Sequence, residues 1–340
     1  MIKYLGSKRA LLDGLVAAVQ KELPNGGLVA DLFSGTARVG HALKAVGYQI
    51  ISNDHNAYAQ VLATCHVQAD LDEMEAPCRK LISALSELPD VDGWFTQSFC
   101  RDSRFFQPQN GMRVDAIREA IAEMELEPTM EAVMLTSLME AADRVDSTTG
   151  LQMAYLKKWA PRSHKQLEMR VPLMQPSTAD GPSVALGLEA VEAARSPLVA
   201  QADLVYLDPP YNQHSYLGNY HVWESLVRWD KPELYGVACK RIDCRERKSG
   251  FNSKPQFRTS MHQLLSAIEA PRILVSFSDE GFIDRNRMEE LLSEFGEVEV
   301  RDREHQRYVG AKIGIHNQSG TRVGEVSHTR NIEYLFLVRR

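Results

Sequence analysis

The apolar residues of this chain fall into short runs that predict the strands of a β-sheet. Between the first two runs, Val39, Leu43 and Val46 recur at helical spacing. A strand, a helix and a second strand in so short a stretch form a βαβ unit, and such units build parallel sheets. The apolar runs cover residues 28–33, 48–52, 183–186, 203–207, 272–277, 298–300 and 334–338.

The pattern changes in the segment from residue 56 to residue 145, where apolar residues recur at the three- and four-residue intervals of helices. The clearest series are Leu81, Leu85 and Leu88; Ile117, Ile121 and Met124; and Met130, Met134 and Leu138. A length of this order is typical of a small domain. We therefore predict an α/β fold with a sheet-containing core at residues 1–58 and 165–340 and a largely helical insertion at residues 59–164.

The composition is that of an ordinary globular protein, with 44% hydrophobic and 25% charged residues. The five cysteines are scattered, odd in number and without a CxxC pair, so we predict reduced thiols and no metal site. The chain start lacks the apolar core of a signal peptide, and no run approaches the roughly 20 apolar residues that span a bilayer. These features predict a cytoplasmic protein that does not enter a membrane.

The positive charges are clustered, although the net charge of −6 alone argues against a partner that is a polyanion. One basic stretch lies near residues 157–170 and another at residues 239–258. A basic run is most often a solvated face, but two such runs favour a surface that contacts phosphates. The predicted phosphate-contacting side chains are Lys157, Lys158, Lys240, Arg241, Arg245, Arg247 and Lys248.

The most informative stretch is Asp208, Pro209, Pro210 and Tyr211, which follows the apolar run at 203–207. Each proline lacks a backbone N–H and has its φ held near about −65°, so the carbonyls around it stay free to accept hydrogen bonds. Asp208 adds a carboxylate acceptor, and Tyr211 adds a ring face on which a heterocycle can stack. The stretch therefore predicts a rigid slot for a flat ring that carries an amino group.

A second candidate site is the turn after the first apolar run, which contains Asp31, Phe33, Ser34, Gly35 and Thr36. Gly35 allows a ligand to approach the backbone closely, yet the turn lacks the spacing of a phosphate-binding GxGxxG. Asp54 follows the second run, at a position where an acid accepts hydrogen bonds from ribose hydroxyls. The combination predicts a nucleoside ligand without phosphates.

Four blocks of this sequence resemble the N6-adenine DNA methyltransferases of the D12, or Dam-like, class, and their order resembles that of the α group. The blocks are residues 4–8, 31–36, 54 and 208–211, and the last resembles the catalytic DPPY of that class. Two positions depart from the class pattern. Ala37 stands where a second glycine is usual, and Leu188 stands near the usual place of an acid that faces the cofactor's adenine, with Glu189 and Asp180 as unassigned substitutes.

The resemblance implies a Rossmann-like methyltransferase sheet that uses S-adenosylmethionine, with the helical insertion as the region that recognises the target. The methyl group would pass to the N6 amine of an adenine flipped out of double-stranded DNA. The basic side chains named above would bind the DNA. The implied catalytic residues are Asp208, Pro209, Pro210 and Tyr211, and the implied cofactor-binding residues are Tyr4, Gly6, Lys8, Asp31, Phe33, Ser34, Gly35, Thr36 and Asp54.

Three alternatives stay open at this point. A similar slot serves RNA methyltransferases that act on guanine N2, although their chains are usually shorter and lack the block at residues 4–8. Methylation of cytosine N4 is chemically similar, although a serine in place of Asp208 would favour it. An inactive relative that only binds DNA is the third, and the intact Asp208 and Tyr211 argue against it. The sequence leaves open whether a cognate restriction endonuclease accompanies the chain, and also its oligomeric state.

Overall fold

A seven-stranded sheet forms the centre of the protein in the computed structural model, which describes residues 1–5, 8, 11–306, 315–316, 322–324 and 330–340. Strands β5 with β6 and β9 with β10 form two separate pairs, and the other seven strands form the sheet. The strands are β1 (Leu28–Asp31), β2 (Gln49–Asn53), β3 (Val184–Leu186), β4 (Leu204–Leu207), β5 (Leu234–Tyr235), β6 (Lys240–Arg241), β7 (Arg272–Ser278), β8 (Glu297–Gln306), β9 (Ile315–His316), β10 (Arg322–Gly324) and β11 (Arg330–Arg339).

The strand order of the sheet is β3-β2-β1-β4-β7-β11-β8. Strands β3, β2, β1, β4 and β7 pair in parallel, whereas β11 is antiparallel to both β7 and β8. The chain moves outward from β1 to β3 and then returns to β4 on the other side of β1. Open α/β sheets bind ligands at such a reversal, beyond the carboxyl ends of the strands. Each predicted run forms one of the seven strands, and the predicted fold class is confirmed.

Helices cover both faces of the sheet. The predicted helical series at residues 81–88, 117–124 and 130–138 fall largely in α4, α6 and α7. The helices of the described chain are α1 (Leu12–Glu22), α2 (Arg38–Ala45), α3 (Ala57–Ala63), α4 (Leu71–Ser86), α5 (Trp94–Thr96), α6 (Pro108–Glu123), α7 (Pro128–Arg144), α8 (Ala190–Ala194), α9 (Tyr216–Asn219), α10 (His221–Arg228), α11 (Phe257–Ala267) and α12 (Arg285–Ser293), with single π turns after α3 and α5.

Successive strand residues pack into two different hydrophobic layers. Ala30 and Val205 pack with α8, α11 and α12, whereas Val29 and Leu204 pack with α1 and α2. Because both faces of the parallel part of the sheet are buried, β1, β4 and β7 are apolar over most of their length rather than alternating, which is why the sequence shows continuous runs there.

The helices between β2 and β3 form a third hydrophobic layer. Its core also contains Val222, Trp223 and Leu226 of α10, together with Ile2 near the start of the chain. The layer therefore packs directly against the segment that follows residues 208–211. The division into residues 1–58 with 165–340 and residues 59–164 remains a prediction, since this packing is continuous across it.

Two features are absent from the described part of the chain. None of its helices combines the length and the apolar character needed to cross a bilayer. Its histidine, cysteine and acidic side chains also form no group of three or more that could hold a metal ion.

Candidate active site

A cleft of ≈ 1000 Å³, measured with its open mouth, lies beyond the carboxyl ends of β1, β2 and β4. It brings together side chains from all four predicted blocks, although they are far apart in the sequence. Gly6 lies outside the described residues. The predicted residues that line the cleft are Tyr4, Lys8, Asp31, Phe33, Ser34, Gly35, Thr36, Asp54, Asp208 and Pro210.

The turn after β1 is shaped by backbone that favours glycine. Gly35 has φ +51°, and a side-chain carbon added there would lie 3.1 Å from the ring of Tyr4. The Gly35 N–H donates to Asp54 Oδ2 at 3.1 Å, which joins the turn to the end of β2. Ala37 also has a positive φ, of 56°, at the start of α2. This left-handed conformation explains why a glycine is usual at that position, and here an alanine adopts it instead.

Asp31, the last residue of β1, is buried beneath this turn. Its Oδ1 accepts a hydrogen bond from the Phe33 N–H at 3.3 Å. Burial, and next the negative charge of Asp208, raise the pKa of Asp31 well above its usual value. Two acids therefore approach each other at the point where the strand order reverses.

Asp208 follows β4 and is bound by a lysine from the N-terminal segment. Lys8 Nζ lies 3.0 Å from Asp208 Oδ1 and also forms a short ion pair with Glu333 of β11. The side chain of Lys8 is only 7% exposed. Burial opposes the charge on Lys8, but Asp208 and Glu333 together raise the pKa of Lys8 well above its usual value, so Lys8 is a cation. Its ammonium group is held by these two carboxylates, and its predicted role in binding the cofactor stays a prediction.

The carboxyl group of Asp208 is strongly affected by its surroundings. Burial raises the pKa of Asp208 to about 6, Lys8 acts in the opposite direction, and Glu333 adds to the rise. Asp208 is therefore held by Lys8 through Oδ1, and its side chain lines the cleft.

The other residues of the predicted slot, including Pro209 and Tyr211, are packed against neighbouring elements. Pro209 is buried, and the ring of Tyr211 meets the edge of Phe277 at a centroid distance of 5.5 Å. The Tyr211 carbonyl accepts from the Phe282 N–H at 3.1 Å. The next residues of the loop are held by Asn252, whose side-chain amide donates to the Asn212 carbonyl at 2.8 Å.

An aromatic stack forms the wall of the cleft beside this loop. The ring of Tyr4 stacks on Tyr216 at a centroid distance of 5.2 Å and on Tyr220 at 4.5 Å. Tyr216 begins the short helix α9, whose N-cap is Ser215. The segment Tyr216–Asn219 is thus helical and packs on the N-terminal block.

The end of the cleft beyond β2 and β3 contains an acid that the sequence left unassigned. Glu189 lines the cleft and pairs with His55, with 2.8 Å between Glu189 Oε1 and His55 Nδ1. Leu188 lines it as well. The other candidate, Asp180, lies beside Gly26, just before β1, and does not line the cleft. Glu189 is therefore the acid that is available at this end.

Two buried polar atoms indicate that the cleft suits a polar ligand. Ser34 Oγ and Asn56 Oδ1 are buried, and neither has a hydrogen-bond partner among the described residues. Both side chains line the cleft. A buried oxygen without a partner is costly, so these atoms mark positions where a ligand would supply one. Together with the carboxylate of Asp54, they fit the hydroxyl and amino groups of S-adenosylmethionine.

The predicted basic residues divide into exposed and buried ones, which corrects the sequence-based set. Arg241 is buried, with two donors held by Asp230 at 2.7 Å, and it also pairs with Asp243. Arg247 lines the cleft, pairs with Glu224 and donates to the His55 carbonyl. The guanidinium of Arg241 is therefore enclosed by the protein, whereas the phosphate-contacting role of the partly exposed Arg247 stays a prediction.

The other basic residues lie at the surface. Arg245 is exposed and stacks over the ring of Tyr235 at 3.8 Å. Lys157, Lys158 and Lys248 are exposed, and Lys240 is half-buried. These five residues keep the phosphate-contacting role as a prediction.

Three residues at the site were not predicted from the sequence, and there is a physical reason for each omission. Glu333 belongs to a strand recognised only by its apolar residues, and its approach to Lys8 spans 325 positions. Asn252 and His55 lie in stretches without a periodic pattern. Their roles depend on backbone carbonyls and on distant side chains, which leave no signal in the spacing.

The comparisons with known proteins agree with this geometry. The sequence model of the D12 class N6 adenine-specific DNA methyltransferase family matches residues 4–303. The chain is 30% identical over 320 residues to the Type II methyltransferase M.CviAII of Paramecium bursaria Chlorella virus 1, covering 90% of this chain and 92% of that protein.

Two further relatives show the same relationship at lower identity. The Type II methyltransferase M.NlaIII of Neisseria lactamica is 27% identical over 340 residues, which cover 96% of this chain and 98% of the relative. The modification methylase LlaI of Lactococcus lactis subsp. lactis is 27% identical over 90% of this chain, which spans only about half (51%) of that longer protein. On the strength of the family match and of these relatives, the chain belongs to the D12 class of N6 adenine-specific DNA methyltransferases.

Proposed function

We propose that the cleft is the site at which this enzyme transfers a methyl group from S-adenosylmethionine to the N6 amine of an adenine in double-stranded DNA. The observation that carries the proposal is the position of Asp208, which lines the cleft while Lys8 holds its Oδ1. Digestion of DNA exposed to the enzyme, followed by mass spectrometry, tests it directly. Methyl label on N6-methyladenine is expected, whereas label confined to cytosine, RNA or protein would reject it.

The cofactor is proposed to lie along the ends of β1, β2 and β3. Its sulfonium group supplies an electrophilic methyl group. Asp54 would accept hydrogen bonds from the ribose hydroxyls, and Gly35 lets the backbone approach the ligand. Phe33 and Leu188 would cover its apolar surfaces, with Glu189 as the acceptor for the adenine amine. Tyr4, Ser34 and Thr36 complete the lining.

The target base is proposed to enter the cleft beside Asp208. An amino group inside the duplex stack cannot be reached, so the nucleotide must be flipped out. The amine would donate one hydrogen bond to Asp208 Oδ2 and one to the Pro209 carbonyl, while the ring stacks on Tyr211. Two acceptors on the amine direct its nitrogen lone pair toward the methyl group instead of into the ring. Such positioning and electrostatic stabilisation carry most of the acceleration.

The charges around Asp208 also favour a positively charged ligand. Asp208 and Glu333 share the single ammonium of Lys8, so this trio has an excess of one negative charge when both carboxyls are ionised. Asp31 is close enough for its pKa to respond to Asp208. The residues therefore attract a sulfonium cation more strongly than the neutral thioether that remains after transfer, which favours exchange of product for fresh cofactor.

DNA is proposed to lie across the exposed basic residues, and the helical layer between β2 and β3 is proposed to read its sequence. Reading requires only a few side chains on base edges. Because its relatives M.CviAII and M.NlaIII are named Type II methyltransferases, we also propose a cognate restriction endonuclease as a partner in the cell. A DNA substrate implies a cytoplasmic location.

Substitution of Gly35 tests the cofactor site. We expect Gly35→Ala to weaken binding of S-adenosylmethionine about tenfold, because φ is +51° and the new methyl group meets the Tyr4 ring at 3.1 Å. Gly47→Ala is a matched control, since its φ is +100° but nothing lies within 4 Å of the added carbon. Titration calorimetry should show the parental affinity in the control, and thermal unfolding should show its lower stability. Equal affinity losses in both variants would contradict the proposed site.

Charge reversal tests the DNA surface. We expect Arg245→Glu with Lys248→Glu to weaken binding of duplex DNA and to reduce the slope of log Kd against log salt by about one for each phosphate that the side chains no longer neutralise. Lys21→Glu serves as the control, because Lys21 lies at the far end of the sheet, beside Glu299. Fluorescence anisotropy across a salt series measures both quantities. A slope that is unchanged in the double variant would remove this surface from the interface.

A further inference from the structure

The ion pair between Lys8 and Glu333 acts on Asp208 itself as well as on the net charge of the cleft. Glu333 lies on β11, the strand inserted antiparallel between β7 and β8. It is 30 positions beyond the last residue of the family match, which ends at residue 303. Even so, it is buried beside the catalytic cleft, where an ionised side chain is costly unless it is fully engaged.

Glu333 is held in place by two polar groups. Its Oε1 accepts a short hydrogen bond from Lys8 Nζ and a second one, of 3.1 Å, from Ser276 Oγ on β7. In the paired register, Ser276 faces Leu335 and Ser278 faces Glu333. The carboxylate is therefore fixed by the sheet, rather than by a loop, and so is the lysine that it holds.

The ammonium of Lys8 is shared between two carboxylates. Asp208 Oδ1 lies 3.0 Å from Nζ, with the Asp208 side chain 20% exposed and that of Glu333 only 7% exposed. If Lys8 had Asp208 as its sole partner, the pair would be a neutral one, and the Asp208 carboxylate would be a weaker acceptor. The second acid leaves negative charge on Asp208 for the target amine.

We propose that Glu333 is a positioning residue for methyl transfer, which holds Lys8 against Asp208 and keeps the Asp208 carboxylate electron-rich. The inference rests on the proposed role of Asp208 as the acceptor of the target amine. It assigns a function in the reaction to a strand that lies outside the family match.

The proposal predicts a shift in the pH dependence of the reaction. The charged and titratable groups that face Asp208 are Lys8, Asp31, Tyr206, Tyr211, Tyr216 and Glu333. Burial raises the pKa of Asp208 to about 6, and Glu333 is among the causes of that rise. Since the ionised carboxylate is the active form, activity is lost as the pH falls through about 6. In Glu333→Gln the amide oxygen can still accept from Lys8 and keep it beside Asp208, whereas the negative charge is removed. The pKa of Asp208 therefore falls, and the loss of activity moves to lower pH.

The test compares single-turnover rates of the parent enzyme and of Glu333→Gln, with isotope-labelled S-adenosylmethionine and unmethylated genomic DNA, across the pH range. We expect Glu333→Gln to react about 10-fold more slowly above neutral pH. We also expect the acidic limb of its pH–rate profile, where activity is lost, to lie about one pH unit lower than in the parent. Glu333→Asp retains the charge, and we expect it to keep the acidic limb of the parent.

The control is Glu22→Gln. Glu22 pairs with Arg339, which lies on β11 as Glu333 does, but Glu22 itself lies away from the cleft. This variant should lose stability without any shift in the acidic limb. An acidic limb in Glu333→Gln that stays in place or moves upward overturns the proposal, whether or not the rate falls, because a purely structural loss leaves the pKa of Asp208 unchanged. A parent enzyme that methylates adenine while Glu333→Gln shows no shift rejects this inference alone and leaves the proposed function intact.

Discussion

Replacing Asp208 with asparagine is expected to lower the single-turnover rate of methyl transfer about 1000-fold at saturating S-adenosylmethionine. The amide has one oxygen, and Lys8 Nζ, at 3.0 Å from Asp208 Oδ1, would take it. The NH₂ group would then face the target amine, so that two donors meet where the proposal requires a donor and an acceptor. Rapid-quench measurements with saturating cofactor and duplex DNA separate this loss from slow product release.

Asp203→Asn is the matched control for this substitution. Asp203 precedes the same strand, β4, at its opposite end, where Oδ2 accepts from the Leu28 N–H at 2.9 Å. An asparagine there can still accept that hydrogen bond, and it lies away from the cleft. The control should therefore transfer methyl groups at the parental rate. If Asp208→Asn reacted within a few-fold of the parent, the amine would have to be held by other groups.

The fold could be predicted because its determinants are local. Parallel strands with both faces buried are largely apolar, and each of the seven apolar runs lies in one of the seven strands of the sheet, two of which, β8 and β11, are paired antiparallel. The order of the strands was beyond the sequence pattern. The insertion of β11 between β7 and β8 depends on long-range pairing, for example of Phe336 with Val275 and Val300.

The candidate site was predictable only where a side chain follows directly from a strand end. Asp31, Asp54 and Asp208 each end or follow a strand, and parallel strands bring such positions to one edge of the sheet. Charge alone gave a poorer prediction. Arg241 and Arg245 lie four positions apart in one basic run, yet Arg241 is buried against Asp230 whereas Arg245 is exposed. Burial of a charge is decided by partners that the run itself does not contain.

Replacing Lys8 with methionine is expected to shift the pH dependence in the direction opposite to that of Glu333→Gln. Lys8 opposes the rise in the pKa of Asp208 that burial causes. Without this cation, the pKa of Asp208 rises further above about 6, and the carboxyl is protonated at neutral pH. We expect the single-turnover rate at neutral pH to fall about 100-fold and to recover partly as the pH is raised. Loss of the buried cation should also lower the free energy of unfolding by about 3 kcal/mol.

Lys44→Met separates the effect on chemistry from the effect on stability. Lys44 is as deeply buried as Lys8, but its ammonium donates to the carbonyls of Val67 and Ala69, each at 2.8 Å, and it does not line the cleft. This control should therefore unfold more easily while keeping the parental pH–rate profile. A Lys8→Met enzyme with the parental profile would show that Lys8 acts only in folding. Opposite shifts in Lys8→Met and Glu333→Gln would instead mean that both charges act on the same carboxyl, because a general loss of packing cannot move one acidic limb in two directions.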